Sequence, residues 1–434
     1  MKRIFLSLLL SSALTAVFAQ SEPELARSLI DEGRLAEAHE LLDNSTSKND
    51  LLLKGRLAFL EYDFDEARRL YSQYRRTLKK SDSNSELELF ENQLDLAENA
   101  LERVEKIQII DEIEVDADTF FKAYRLPISA GRLTDSSEIP FKEDADDASM
   151  TFVNEKGNFM MWSRTDENGM TSIVESSRLT DGSWEEPTPL PDMLGNGGNV
   201  DYPFMMADGT TLYFASDGED SMGGYDIFIA GKDLSTGEYR QPQNMGMPYN
   251  SPFDDYMLAI DEENGIGWWA SDRNLIPGQL TVYVFLVNDM RVNHDPDNEN
   301  IIDFASLKDT HLTVEEDTDL DSLKSMIKEI KPGVAEKEVE FIFPVAAGLT
   351  YTSMSDFKSS SAASMMKKYM ADKKALENDI EELKSLRVKY HESNLSGRNA
   401  LSGNIKSLET KVEENSRQLN VLRGKIISTE KGSR

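Results

Sequence analysis

Apolar residues recur every three to four positions in two stretches near the start of the chain, ARSLIDEGRLAEAHELL (26–42) and GRLAFLEYDFDEARRLY (55–71). The two superpose at an offset of 29, matching Gly33 with Tyr62, Leu35 with Phe64, Ala38 with Ala67 and Leu41 with Leu70. Helical spacing repeated in this way predicts paired helices, with the small residues Ala38 and Ala67 where two helices approach. Ser21 and Glu24, with Pro23 between them, have the spacing of a capping box and mark the first helix start. A longer helix is expected near 84–105, so a helical domain spans 20–110.

From about residue 112 to 292 the period shortens to that of strands, punctuated by Asp181-Gly182, Asp208-Gly209 and Asp217-Gly218. Three segments align there: DASMTFVNEKGNFMMWS (147–163), DYPFMMADGTTLYFAS (201–216) and DYMLAIDEENGIGWWAS (255–271), whose terminal serines lie 53 and 55 residues apart. Each begins with Asp, then has an apolar strand, a turn and a strand rich in aromatic residues or Met. The pattern suits antiparallel sheets repeated around a hub. FFKAYRLP (120–127) is expected to add strands before the first sheet, and EFIFPVAAGLTYTS (340–353) a hairpin after the third. The β-rich domain is therefore drawn from 111 to 357, interrupted by an acidic connector (293–338) with one short helix near Leu320 to Ile330.

Beyond residue 358 the pattern turns helical again, without proline. One seam runs Leu376, Ile380, Leu383 and Tyr390. A second runs Leu401, Ile405, Leu408, Val412, Asn415, Leu419, Leu422 and Ile426, with Asn415 its one polar member. The seams differ in phase, and Ser393, Asn394 and Gly397 lie between them. Two helices folded back as a coiled-coil hairpin over 358–434 are expected, rather than one rod.

Lys2 and Arg3 precede an apolar run from Ile4 to Leu10 and the triplet Val17-Phe18-Ala19, the layout of an export signal cleaved after Ala19 (1–19). The chain has no cysteine, which removes disulfides and a lipid-bearing cysteine from consideration. Attachment to a membrane then goes through another protein. The formal charge of −32 becomes −34 without the two signal cations, a field that repels nucleic acid.

The first repeats resemble tetratricopeptide repeats. The run DYPFMMADGTTLYFASDGEDSMGGYDIF, from Asp201 to Phe228, resembles the β-propeller repeats of TolB-like and WD40-like families, where an Asp-Gly turn precedes an aromatic strand, here Leu212-Tyr213-Phe214. Together the parts are similar to exported tetratricopeptide and WD40-like proteins of Bacteroidota, several of which belong to cell-envelope assemblies. The resemblance implies a multidomain α and β protein: tetratricopeptide-like helices, a β-propeller-like domain and a helical hairpin. It implies a periplasmic or outer-membrane-associated scaffold that binds other envelope proteins, among them an outer-membrane protein.

Residues for chemistry are sparse. His39, His294, His311 and His391 show no metal-ligand spacing, and neither a Gly-x-Ser-x-Gly elbow nor a Gly-x-x-x-x-Gly-Lys loop occurs. No catalytic, cofactor or metal residue is assigned, and no enzyme activity is expected. The acidic turn around Asp217, Glu219, Asp220 and Asp226 has the oxygen ligands calcium prefers but not an EF-hand spacing, so turn formation is the stronger expectation. Trp162, Trp268, Trp269 and Tyr225 raise a rival reading, a glycan-binding or carbohydrate-active propeller. Tryptophans in such strands more often fill a core. Met160, Met161, Met205 and Met206 are expected to fill gaps between sheets.

Overall fold

The computed structural model describes residues 22–43, 45, 47–79, 84–141, 150–180, 182–233, 235–333, 341, 343–346, 349–392 and 395–432. The expected export signal and the leading Asp147 of the first β segment lie outside them. The chain divides into two compact units, Met1–Val334 and Ala335–Arg434.

The first unit opens with five helices: α1 (Glu22–Asp31), α2 (Leu35–Asp43), α3 (Leu51–Leu60), α4 (Phe64–Arg75) and α5 (Ser85–Leu101). The 29-residue offset is reproduced bond for bond. Arg34 N–H donates to Leu29 O and Asp63 N–H to Ala58 O; Gly33 N–H donates to Ile30 O and Tyr62 N–H to Phe59 O. Both corners need a left-handed residue, and Gly33 (φ 73°) and Tyr62 (φ 64°) supply it. Ala38 and Ala67 are fully buried. Gly55 sits against the Tyr71 ring, where a Cβ would collide, so its missing side chain sets how closely α3 and α4 pack.

Three antiparallel sheets follow. The first contains β2 (Arg132–Thr134), β3 (Thr151–Val153), β4 (Phe159–Thr165), β5 (Thr171–Ser177) and β6 (Thr188–Pro189), in that order. The second is built from β7 (Val200–Met205), β8 (Thr211–Ser216), β9 (Asp226–Gly231) and β10 (Gln243–Asn244), also in sequence order. The third orders β11 (Asp255–Asp261), β12 (Ile266–Ser271) and β13 (Gln279–Leu286), with β1 (Gln108–Asp116) on its outer edge. None of the sheets closes on itself. The strand that precedes the first sheet thus completes the last one, through antiparallel pairing of Gln108 with Leu286 to Asp116 with Gln279. Strand β7 packs on the first sheet and β11 on the second, so one apolar core runs through all three, with Phe152, Phe204, Phe214, Trp268 and Phe285 buried in it.

Residues 120–127 are not strands. They form a 3₁₀ segment and loop whose Phe120, Tyr124 and Leu126 plug into this core, because bulky apolar side chains at uneven spacing suit an irregular plug better than an alternating strand. The connector folds as α6 (Ile301–Ser306) and α7 (Leu320–Glu329). It is pinned to β1 by Lys324 on Asp111 at 2.8 Å and by Ile109 N–H on Thr313 Oγ1 at 3.0 Å.

In the second unit, β14 (Phe343–Ala346) and β15 (Leu349–Tyr351) form the expected hairpin. It shares a core with the helical arm through Phe343, Val345, Tyr351, Ala362, Met366 and Ile426, and does not extend the third sheet. The arm is α8 (Ser360–Glu392) and α9 (Leu395–Lys431), packed along each other. Arg387 meets Glu409 and Asp379 meets Lys411, pairs whose numbers converge toward 393–394, so the helices are antiparallel. Gly397 lies within α9 and takes no part in the turn.

Candidate functional site

The aromatic strands β8 and β12 end in Ser216-Asp217 and Ser271-Asp272, and that pair is a clasp. Ser216 Oγ accepts Gly218 N–H at 3.2 Å, and Ser271 Oγ accepts Arg273 N–H at 3.2 Å. Asp217 accepts Asn199 N–H at 2.6 Å, and Asp272 accepts Asp254 N–H at 2.9 Å. Asn199 and Asp254 in turn each take an N–H from the preceding sheet, from Thr171 at 2.9 Å and Tyr225 at 2.7 Å. These three bonds repeat, at an offset of 55 except for the donors Thr171 and Tyr225, which lie 54 apart; they tie the second and third sheets to the one before and satisfy backbone donors at strand ends.

The same offset corrects the alignment of the leading aspartates. Asp201 lies opposite Ala215, whereas Asp255 lies opposite Ser271, one position earlier. Both strands carry the same β-bulge, with left-handed Tyr202 (φ 56°) and Met257 (φ 50°) as equivalent residues, so Asp255 is the counterpart of Val200 and not of Asp201.

The acidic turn uses its oxygens on the chain itself. Asp220 Oδ2 accepts Asn196 Nδ2 at 2.8 Å, and the buried Asp226 accepts Met222 N–H, Gly223 N–H and Asn244 Nδ2. Among the described residues no cluster of three His or acidic side chains could hold a metal ion. Burial pushes the Asp226 carboxyl up to about 8. Asp272 rises to about 7, first through burial and then through repulsion from Asp254. Asp255 pairs with Arg273 at 2.6 Å, both buried, and Arg273 also donates to Pro248 O, Tyr249 O and Ser271 Oγ. These are groups that hold loops together, not groups gathered at a cavity.

Trp162, Trp268 and Trp269 are wholly buried, which withdraws them from any sugar-stacking surface. Met160, Met161 and Met205 are buried and Met206 packs beside them. Tyr225 is half-buried within 6.0 Å of the Tyr202 and Tyr256 rings. A cleft of about 360 Å³ between the first and second sheets is lined by Met170, Ile173, Leu190 and Leu194, with no tryptophan.

Two open grooves remain. The first, of about 470 Å³, lies among α1, α3 and α5, lined by Arg27, Ile30, Leu53, Arg56, Leu89 and Phe90. The helical pairing places it there, because α1 and α3 are the first members of their repeats and α5 stands in the third place. Arg27 bridges the rim to Glu86. Arg56 lies 4.9 Å from the Phe59 and Phe90 ring centres and donates to Gln93 Oε1 at 2.9 Å. Desolvation lowers its pKa. The opposite side of these helices docks onto the sheets: Gln93 Nε2 donates to Gly223 O at 2.6 Å, Asn92 Nδ2 to Glu219 O at 2.9 Å, and Met222 and Met247 join the helical core.

The second groove runs along one side of the α8–α9 hairpin. Leu376 and Leu383 are buried in the seam as expected, but Ile380 is 46% exposed. Its place is taken by Asp379, 8% exposed, which receives Lys411 Nζ at 2.7 Å and Asn415 Nδ2 at 3.3 Å. The polar intruder Asn415 therefore has a partner that the heptad pattern did not reveal. Searches against family models, curated proteins and solved structures find no match to this chain. Among the described residues no helix is long and apolar enough to cross a membrane.

Proposed function

We propose that this chain is a non-catalytic scaffold subunit of a cell-envelope assembly, exported to the periplasm or the periplasmic side of the outer membrane, where it holds partner polypeptides. In this reading the helical pairs are tetratricopeptide-like and the three sheets are blades of a propeller-like domain. The offset-29 helix corners support the first, and the offset-55 clasps with the β1 latch support the second.

The observation that carries the functional reading is where polar and apolar groups are left open. Around the sheets Asp217, Asp220, Asp226, Asp255 and Asp272 are committed to N–H groups and to Arg273, while the α1–α3–α5 groove presents Leu89 and Phe90 beside Arg27 and Arg56. Apolar side chains flanked by fixed charges suit a polypeptide ligand. The test is a tagged pull-down from mildly solubilised envelopes of the native organism, beside a chain lacking 358–434. Stoichiometric recovery of an envelope protein, lost on deletion, is expected; recovery of the full-length chain alone would overturn the reading.

A further inference from the structure

We infer that the base of the C-terminal hairpin is a docking groove for an acidic amphipathic helix of a partner protein. This rests on the scaffold reading and names the surface and the chemistry it takes.

Charge is the first support. Residues 358–434 carry 16 Lys and Arg against 10 Asp and Glu, whereas residues 1–357 carry 31 against 69. Within the hairpin the excess lies at one end: 358–374 with 417–434 hold 10 cations and only Asp372 and Glu430. Glu430 is buried and accepts Tyr351 O–H and the N–H groups of Lys358 and Ser359, so it caps the start of α8 and faces away from solvent. Asp372 pairs with Lys368.

Geometry puts four of the cations on one side. The inward stripe runs Ala362, Met366 and Tyr369 on α8 and Leu422, Ile426 and Glu430 on α9. Lys367 and Met370 each follow that stripe by one residue, as do Arg423, Ile427 and Lys431, and Lys374 stands two turns on from Lys367. One residue is a turn of about 100°, and in antiparallel helices it carries both sets to the same flank. Lys367, Lys374, Arg423 and Lys431 are exposed and make no ion pair among the described residues, while Met370 and Ile427 lie half-buried between them. Ser416 and Asn420 likewise follow Asn415 and Leu419 by one. They line, with Ile380, Leu383 and Val412, a cleft of about 710 Å³ that continues the same flank toward the tip.

From Lys367 to Arg387 this channel is about 30 Å long at 1.5 Å per residue, the length of a 20-residue helix. An elongated trough with an apolar floor between two helices accepts a third helix through anchors at i, i+3, i+4 and i+7. The four unpaired cations select an acidic end for it at the hairpin base. A flat anionic lipid surface would meet the corner cations but leave the recessed Leu383 and Val412 unfilled.

The absence of native cysteine makes the test specific. The mature chain (20–434) is labelled with an environment-sensitive dye at Ser416→Cys in the groove, or at Ser402→Cys outside it. The probe is a 21-residue helical peptide with Leu at the anchor positions and Glu in its first two turns, beside a copy with Lys in place of Glu. The acidic peptide is expected to blue-shift the dye at 416 and not at 402, to bind at least ~10-fold more tightly than its Lys copy, and to weaken by ~10-fold or more in Lys367→Glu/Lys374→Glu/Arg423→Glu/Lys431→Glu. The quadruple Gln variant, checked for unchanged helicity, should fall between. Equal binding of both peptides, no binding, a response at 402 alone, or binding instead to vesicles of 30% phosphatidylglycerol in phosphatidylcholine would overturn the inference. A failed peptide assay beside an envelope pull-down that still depends on 358–434 would remove this groove and leave the scaffold reading standing.

Discussion

The third sheet and the C-terminal hairpin handle buried polar groups in opposite ways. In the sheet, Asp255 and Arg273 form an ion pair closed off from solvent, with three further acceptors around the guanidinium. In the hairpin, Asp379 sits in the seam with Lys411 and Asn415, and beside it Ile380 is exposed while Val412 and Leu419 are only partly covered. A three-sheet stack can surround a polar group on every side; two helices can cover only one stripe of each other. The sheet region is therefore self-contained, while the hairpin leaves a flank unfilled, the flank proposed above as a docking groove.

Removing one member of each polar pair sharpens the contrast. Arg273→Met leaves Asp255 buried beside no cation and should cost about 3–5 kcal/mol in urea unfolding of the mature chain. Gly55→Leu forces a side chain into the Tyr71 ring and should cost about 1–3 kcal/mol without changing the sheets, as near-ultraviolet circular dichroism would check. Asp379→Leu, by contrast, should leave hairpin stability within about 1 kcal/mol of the parent, because an apolar seam residue replaces a desolvated charge. Its effect should be on register: spin labels placed across α8 and α9 would give one distance in the parent and a broadened distribution in the variant.

A further effect is a pH slope. Asp272 has its folded pKa raised to about 7 by burial and by Asp254, against about 4 for an unfolded aspartate. The unfolded chain releases that proton first, so stability is full below about pH 4 and is progressively lost as pH rises to about 7. Asp272→Asn keeps an oxygen for Asp254 N–H and should flatten this part of the slope in thermal melts at pH 4.5 and 7.5. Loss of stability at both pH values would mean the clasp needs the carboxylate itself.

Much of the architecture was legible because it is periodic. The offset-29 match of Gly33 with Tyr62 foretold two helix corners of identical bonding, and the terminal serines Ser216 and Ser271 foretold the ends of two aromatic strands, whereas the first runs on past Ser163 to Thr165. What escaped was set by contacts distant in sequence. The strands match at an offset of 55 while the Asp-Tyr pairs of the two segments lie 54 apart, so Asp201 and Asp255 looked equivalent although Asp255 takes the place of Val200. Phe120, Tyr124 and Leu126 read as a strand but fill a core that forms only when three sheets meet. Asp379 lies next to the apolar Ile380, and its seam position shows only once α9 brings Lys411 and Asn415 to it. The basic flank needed the phase of both helices together; neither helix shows it alone.

Hydrogen–deuterium exchange of residues 20–434, free and with whatever partner the proposed pull-down recovers, tests the central claim most directly. Slowed exchange confined to about 363–388 and 409–431, with residues 108–286 unchanged, is the predicted result: a rigid body of sheets with a hairpin that docks. Protection spread over the sheets with the hairpin unaffected would contradict the account.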